Sequence, residues 1–181
     1  MNYPPYTTAE AQTRETFLAL MWALSYPGRI QQLPDSDNSF LLIGDTLLDI
    51  ETSFYTPRDD WKTPLGRNGA KALPPESAAY HFYPVLDDTA LKTIEQAAIG
   101  TMLYPDIAAT LIIGCTLGQG MDVAFLQGPG INGQQSFSVD GLPAAFWTLR
   151  ESAARFPLGW DVFFVDGRQV IGLPRSSQVS R

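Results

Sequence analysis

One histidine, His81, one cysteine, Cys115, and three lysines, Lys62, Lys71 and Lys92, are unusually few for a chain of 181 residues. Each shortage excludes a class of chemistry. A zinc centre takes three or four ligands drawn largely from Cys and His, so a conventional metal site is excluded. A single thiol cannot close an internal disulfide, which points to a reducing compartment. Both His81 and Cys115 fall in expected strands, where a packed histidine and a buried, inert thiol are the plain readings. Schiff-base chemistry needs a desolvated lysine. Lys62 and Lys71 lie in a polar loop and Lys92 on an exposed helix face, so pyridoxal phosphate (PLP) is not expected. No Walker A sequence occurs. No apolar run approaches the roughly 20 residues of a membrane helix. The start, Met1-Asn2-Tyr3-Pro4-Pro5-Tyr6, has neither basic nor apolar character of a signal peptide. Positive charge is also short: a net charge of -7 disfavours nucleic acid and anionic membrane as partners. These absences together predict a cytoplasmic, soluble protein.

Hydrophobic residues make up 45% of the chain and charged residues 17%, a globular balance with enough length for one domain over 1–181. Thr7 or Thr8 caps a first helix running to about Leu24, with Phe17, Leu20, Met21 and Leu24 forming an apolar face. Ser25-Tyr26-Pro27-Gly28 stops it, because Pro27 cannot continue a helix and Gly28 tolerates positive φ. A short strand over Arg29–Leu33, a helix over Phe40–Leu48 and a strand over Ser53–Thr56 follow. Residues 57–77 form a polar stretch with Arg58, Lys62, Arg67 and Lys71, functional, mobile or holding a short helix. Tyr80–Tyr83 reads as a strand, and Asp87 or Asp88 caps a helix to Ala98. Thr110–Cys115 reads as a buried strand that turns at Leu117-Gly118-Gln119-Gly120 and returns as a hairpin over Met121–Leu126. Gln135–Val139 is another strand, and Pro143 opens a helix to about Arg155. Asp161–Val165 and Gln169–Leu173 form a hairpin around Asp166-Gly167. The fold class is therefore α/β, a mixed sheet flanked by helices, without repeat or dividing linker.

Few residues carry chemistry. Asp59-Asp60 and Asp87-Asp88 read as a solvated loop and a helix cap. Gly128-Pro129-Gly130 forms a tight turn after a strand; its amides either cradle an anion or only shape the connection. Arg175, after Leu173-Pro174, holds a phosphate in bidentate fashion or is merely solvated. Arg67-Asn68-Gly69 offers a second basic turn with the same two readings. Gly128, Gly130, Arg175 and Arg67 are the candidate ligand-binding residues. Trp22 and Trp160 belong either to the core or to subunit faces.

Four segments in order resemble the H subunit of the carbon–phosphorus lyase system, the PhnH family of phosphonate catabolism. They are Phe17–Gly28, ending in S-x-P-G; Gly100–Leu111; Leu126–Ile131; and Phe156–Ser177. Asp106 and Ala108 stand where the family's second segment usually carries Glu and Gly, and Ser176-Ser177 replaces the usual Thr-Thr. Both departures keep the carboxylate and hydroxyl chemistry. The resemblance implies a fold similar to the large domain of PLP-dependent transferases, without the cofactor. It implies a homodimer that joins other core subunits (G, I, J). That complex transfers a phosphonate to the ribose C1′ of ATP and releases adenine, leaving ribose 1-phosphonate 5-triphosphate. ATP is then a substrate of the complex rather than a cofactor of this chain, and no catalytic residue carries over.

Three readings follow. The first is an accessory, noncatalytic subunit of that complex. The second is a stand-alone enzyme acting on a phosphonate or nucleotide through Asp106 or Asp161 beside Arg175. The third is a free-standing ligand-binding module.

Overall fold

In the computed structural model, which describes residues 7–118 and 123–181, a seven-stranded sheet divides two hydrophobic cores. Strands β2 (Ser53–Tyr55), β4 (Tyr80–Tyr83), β5 (Thr110–Gly114) and β9 (Asp161–Asp166) run parallel, with short β3 (Lys71–Ala72) beside β2. Strand β10 (Gln169–Leu173) returns antiparallel to β9, and β1 (Gln31–Gln32) pairs with β10. The order is β1-β10-β9-β5-β4-β2-β3. The register aligns Tyr80, Thr110 and Asp161 at the amino ends of the three central strands. A second sheet, antiparallel throughout, has the order β11-β7-β8-β6: Gln178–Ser180, Val123–Gln127, Gln135–Asp140 and Thr116–Leu117.

Strand alternation assigns the faces. Leu111, Ile113, Val162, Phe164 and Ile171 point to one core; Ile112, Phe163, Val165 and Val170 point to the other. Central strands buried on both faces read as the continuous apolar runs found at 111–113 and 162–165. The second core is covered by α1 (Thr8–Ser25), α2 (Ser39–Leu47) and α3 (Asp59–Leu65). The first is covered by α4 (Asp88–Ile94), α5 (Ala144–Ala153) and the small sheet. Phe137, Phe146, Trp147 and Phe164 form one ring cluster there, with neighbouring centroids 5.3–6.4 Å apart. That cluster fastens the small sheet and α5 to the main sheet.

Local rules account for most boundaries. Thr7 and Glu10 form a reciprocal capping box on α1, and the Asp87 carboxylate accepts from the Ala90 amide at the start of α4. The stretch 57–77 does contain a short helix, α3, followed by a 3₁₀ turn. Three expectations change. Strand β5 is central and parallel to β4 and β9, so the expected hairpin with 121–126 does not form; β7 pairs with β8 and β11 instead. Of that turn, Gln119–Asp122 lie outside the described residues, as do Met1–Tyr6. The helix after Asp87 ends at Ile94, short of Ala98.

The third change concerns α1. It buries Thr16, Ala19, Leu20 and Ala23, not the face through Phe17 and Met21. The reason is close approach: a Cβ on Gly172 of β10 would sit 2.4 Å from the Ala23 carbonyl carbon. Only a small side chain such as Ala23 fits between helix and strand at that separation; of the expected face Leu20 is buried and Leu24 partly so, whereas Phe17 and Met21 turn outward. Phe17 is 53% exposed, and Trp22 stacks on Tyr26 at the surface.

His81 is fully buried in β4. Its Nε2 lies 3.2 Å from the Ala78 carbonyl, which can only accept, so Nε2 carries the proton. Nδ1 then accepts from the Tyr83 hydroxyl at 3.0 Å. Burial pushes the His81 pKa down to about 4, against the opposing pull of the Ala78 and Pro75 backbone. The unfolded chain protonates this histidine near pH 6.5 and the folded one does not, so stability falls as pH drops from 6.5 toward 4. Chemical unfolding at pH 7 and pH 5 should show a loss of about 2 kcal/mol attributable to His81, reduced in a His81→Gln variant.

Candidate functional site

The four sequence segments singled out above meet at the amino ends of the parallel strands. Asp161 opens β9, and its carboxylate takes Arg175 from two directions. Asp161 Oδ1 accepts from the Arg175 amide at 2.8 Å; Oδ2 accepts from Arg175 Nη2 at 2.6 Å and Nε at 3.1 Å. Arg175 Nη1 donates to the Pro105 carbonyl at 2.6 Å, in the 3₁₀ turn Pro105–Ile107. The pair is largely buried, so its geometry is held more firmly than that of a surface bridge. Ile99 and Ala97, just before Gly100, accept from the Gly159 amide and the Trp160 indole. Trp160 is thereby a core residue, not a surface one.

Gly128 and Gly130 are explained by close approach. A Cβ on Gly128 would meet the Ser176 carbonyl at 3.0 Å, and one on Gly130 the Ser25 carbonyl at 2.3 Å. Both have positive φ, 142° and 79°, which glycine alone adopts readily. The Gly-Pro-Gly turn is thus wedged between the end of α1 and the turn at 174–177. Gly28 closes the same junction, donating its amide to the Gly172 carbonyl.

Of the four candidate residues, the fold brings Gly128 beside the turn that Arg175 begins. Gly130 faces the end of α1 instead. Arg67 stands on the other side of the main sheet, where it pairs with Asp45 of α2. Asp106 is exposed in the 3₁₀ turn, whereas Asp161 is committed to Arg175. All three lysines are exposed. The Cys115 thiol, half-buried, is pushed up to about 12 by burial and by Asp166 and Asp140. Among the described residues, no group of three or more His, Cys, Asp or Glu is placed to hold a metal ion. Among the same residues, no helix is long and apolar enough to cross a membrane.

A cavity of about 870 Å³ opens between α5 and the 174–181 segment. Its wall includes Arg150, Arg175, Ser176, Ser177 and Arg181, with Trp147 beneath Arg181 at 5.3 Å. Arg150 was not singled out by sequence reasoning. It shares the inward face of α5 with Phe146, Trp147 and Ala153, and is only 3% exposed. An arginine at i+4 from a core phenylalanine is the signal that could have found it. Its Nη2 donates to the Pro174 carbonyl at 2.9 Å and the Ser177 carbonyl at 3.1 Å, bracing the turn from within. Burial lowers its pKa to about 10, with Asp161 opposing, so it stays charged at neutral pH.

Comparison with known proteins matches residues 4–180 to the family PhnH, bacterial phosphonate metabolism protein. A curated relative from Stutzerimonas stutzeri, named putative C-P lyase subunit protein HtxG, is 33% identical over 172 residues. The match covers 91% of this chain and 84% of the relative. Another from Rhizobium meliloti (strain 1021), named alpha-D-ribose 1-methylphosphonate 5-triphosphate synthase subunit PhnH, is 26% identical. That match covers 94% of this chain and 91% of the relative.

Replacing Asp161 by Asn keeps its shape but leaves the Arg175 guanidinium without a carboxylate in a largely buried position. Denaturant unfolding should show a loss of about 2 kcal/mol, below the 3–5 typical of a fully buried pair because water still reaches this one. A change under about 0.5 kcal/mol would mean that the clamp does not hold the turn.

Proposed function

Because the chain belongs to the PhnH family of bacterial phosphonate metabolism proteins, we propose that it is a subunit of a carbon–phosphorus lyase complex acting in phosphonate catabolism. The observation that carries this reading is the family match over 4–180, supported by relatives whose names describe subunits. Its role is accessory: it supports transfer of a phosphonate to the ribose C1′ of ATP with release of adenine. ATP is a substrate of the assembly, and this chain works without PLP on a fold similar to the large domain of PLP-dependent transferases. It works in the cytoplasm, as a homodimer that joins the G, I and J subunits.

The surface suits such a role. One apolar stripe runs along α1 through Phe17, Met21, Trp22 and Tyr26. A second group comprises Met102, Leu103, Tyr104, Ile107 and Phe156; Leu103 is 76% exposed and Phe156 73%. Exposed large apolar side chains of this kind are what a partner covers in an assembly. Of the two carboxylates that a stand-alone enzyme would use, Asp161 is occupied by Arg175 and Asp106 stands exposed in the 3₁₀ turn.

The test is co-expression with the partner subunits. The chain is expected to co-purify with them and to elute alone as a dimer. Leu103→Glu or Trp22→Glu should weaken one of these associations at least tenfold with melting temperature unchanged, since both side chains lie outside the core. A monomer without affinity for the partners would overturn the proposal. Turnover of ATP with methylphosphonate by the isolated chain would favour the enzyme reading instead.

A further inference from the structure

Burying a charge is costly unless a partner or a bound ion offsets it. Arg150 is buried, and no carboxylate among the described residues forms an ion pair with it. Three buried side-chain polar atoms among the described residues lack a hydrogen-bond partner. Two of them, Arg150 Nε and Ser177 Oγ, belong to residues that line the same cavity. Both residues are 3% exposed, so solvent does little to satisfy them. The cavity wall also inverts the character of the chain. Acidic residues outnumber basic ones 19 to 12 in the whole sequence, yet among the described residues the wall carries Arg150, Arg175 and Arg181 with one acidic residue, Glu151.

A water molecule could take one hydrogen bond from each orphan atom but would leave the charge uncompensated. Both atoms lie just beneath the cavity surface, and an oxyanion toward which the two side chains turn accepts from both and neutralises the guanidinium as well. We propose that this cavity is an oxyanion site in which Arg150 and Ser177 hold the phosphoryl or phosphonyl group of a small metabolite. Its volume exceeds what a bare tetrahedral anion fills and matches that of small-molecule sites, so room remains for the attached organic part. Trp147 and Arg181 offer that part an apolar and cationic wall. Arg175 contributes less, since Asp161 and the Pro105 carbonyl already hold its guanidinium. A free phosphonate and the triphosphate of a nucleotide share this chemistry. The site stands on this chain's own atoms; only the choice of methylphosphonate as a probe rests on the proposed subunit role.

Calorimetric titration of the full chain with inorganic phosphate, methylphosphonate and ATP tests the site, and the tightest of the three names the source. Arg150→Lys keeps the charge but loses Nε, and should weaken binding tenfold or more. Ser177→Ala should weaken it several-fold, while leaving the unliganded protein at least as stable, because the hydroxyl makes no internal hydrogen bond. A purely structural serine would show the opposite: lower stability and unchanged binding. If Arg150→Lys does not fold, Ser177→Ala alone decides. No binding of any probe up to about 10 mM overturns the proposal, as does wild-type affinity in the variants. A chain that co-purifies with its partners but binds no probe loses this site and keeps its subunit role. A chain that binds a probe but joins no partner does the reverse.

Discussion

The turn at 174–177 is gripped from both sides, and the end of the molecule that carries the candidate site depends on that grip. From outside, Asp161 fixes Arg175 through its amide and its guanidinium, and Arg175 reaches on to the Pro105 carbonyl. From inside, Arg150 spans the Pro174 and Ser177 carbonyls. With the turn in place, β11 lies along β7, and the Gly128 backbone can approach Ser176. Two arginines thus do different work over one short span of chain. One is neutralised by a carboxylate; the other remains a buried cation that faces a cavity.

This arrangement sits at an unusual end of the sheet. Open α/β sheets hold ligands beyond the carboxyl ends of their parallel strands. At those ends here the backbone is tightly packed: a Cβ on Gly114 of β5 would lie 2.1 Å from the Pro84 carbonyl, and Asp166 accepts from the Leu117 amide. The polar convergence around Asp161 and Arg175 is at the amino ends instead. Exposed apolar groups on α1 and around Leu103 complete a surface suited to assembly. A committed aspartate and exposed apolar side chains suit the proposed subunit role.

Local patterns made much of the fold legible. The capping pair Thr7 and Glu10, the cap at Asp87 and the turn after Asp166 mark element ends through contacts only a few residues apart. The β9–β10 hairpin and the central strand at 110–114 followed from the same kind of signal. The partner of that strand did not. A hairpin was expected because the following apolar run is near in sequence, but a buried strand's alternation does not say which edge it pairs. Two strands of the small sheet were legible from their alternation, but its edge strand β11, which pairs with β7 some 50 residues away, was not. For the site, Arg175 was visible after its proline, whereas Arg150 was hidden inside a helix that reads as merely amphipathic.

What the sequence by itself determined is therefore of two kinds: elements whose ends are set by neighbouring residues, and exclusions set by composition. One histidine and one cysteine are too few of the usual ligands for a conventional zinc site within one copy of the chain. The tertiary structure alone decided which face of α1 points inward, because Gly172 on a distant strand sets how near the helix lies. It alone decided that Arg175 meets Asp161, that Arg67 stands across the sheet, and that Arg150 and Ser177 share one cavity. Each of these is a meeting of segments far apart in the chain. Local propensity acts over a few residues, whereas burial and charge pairing act through space.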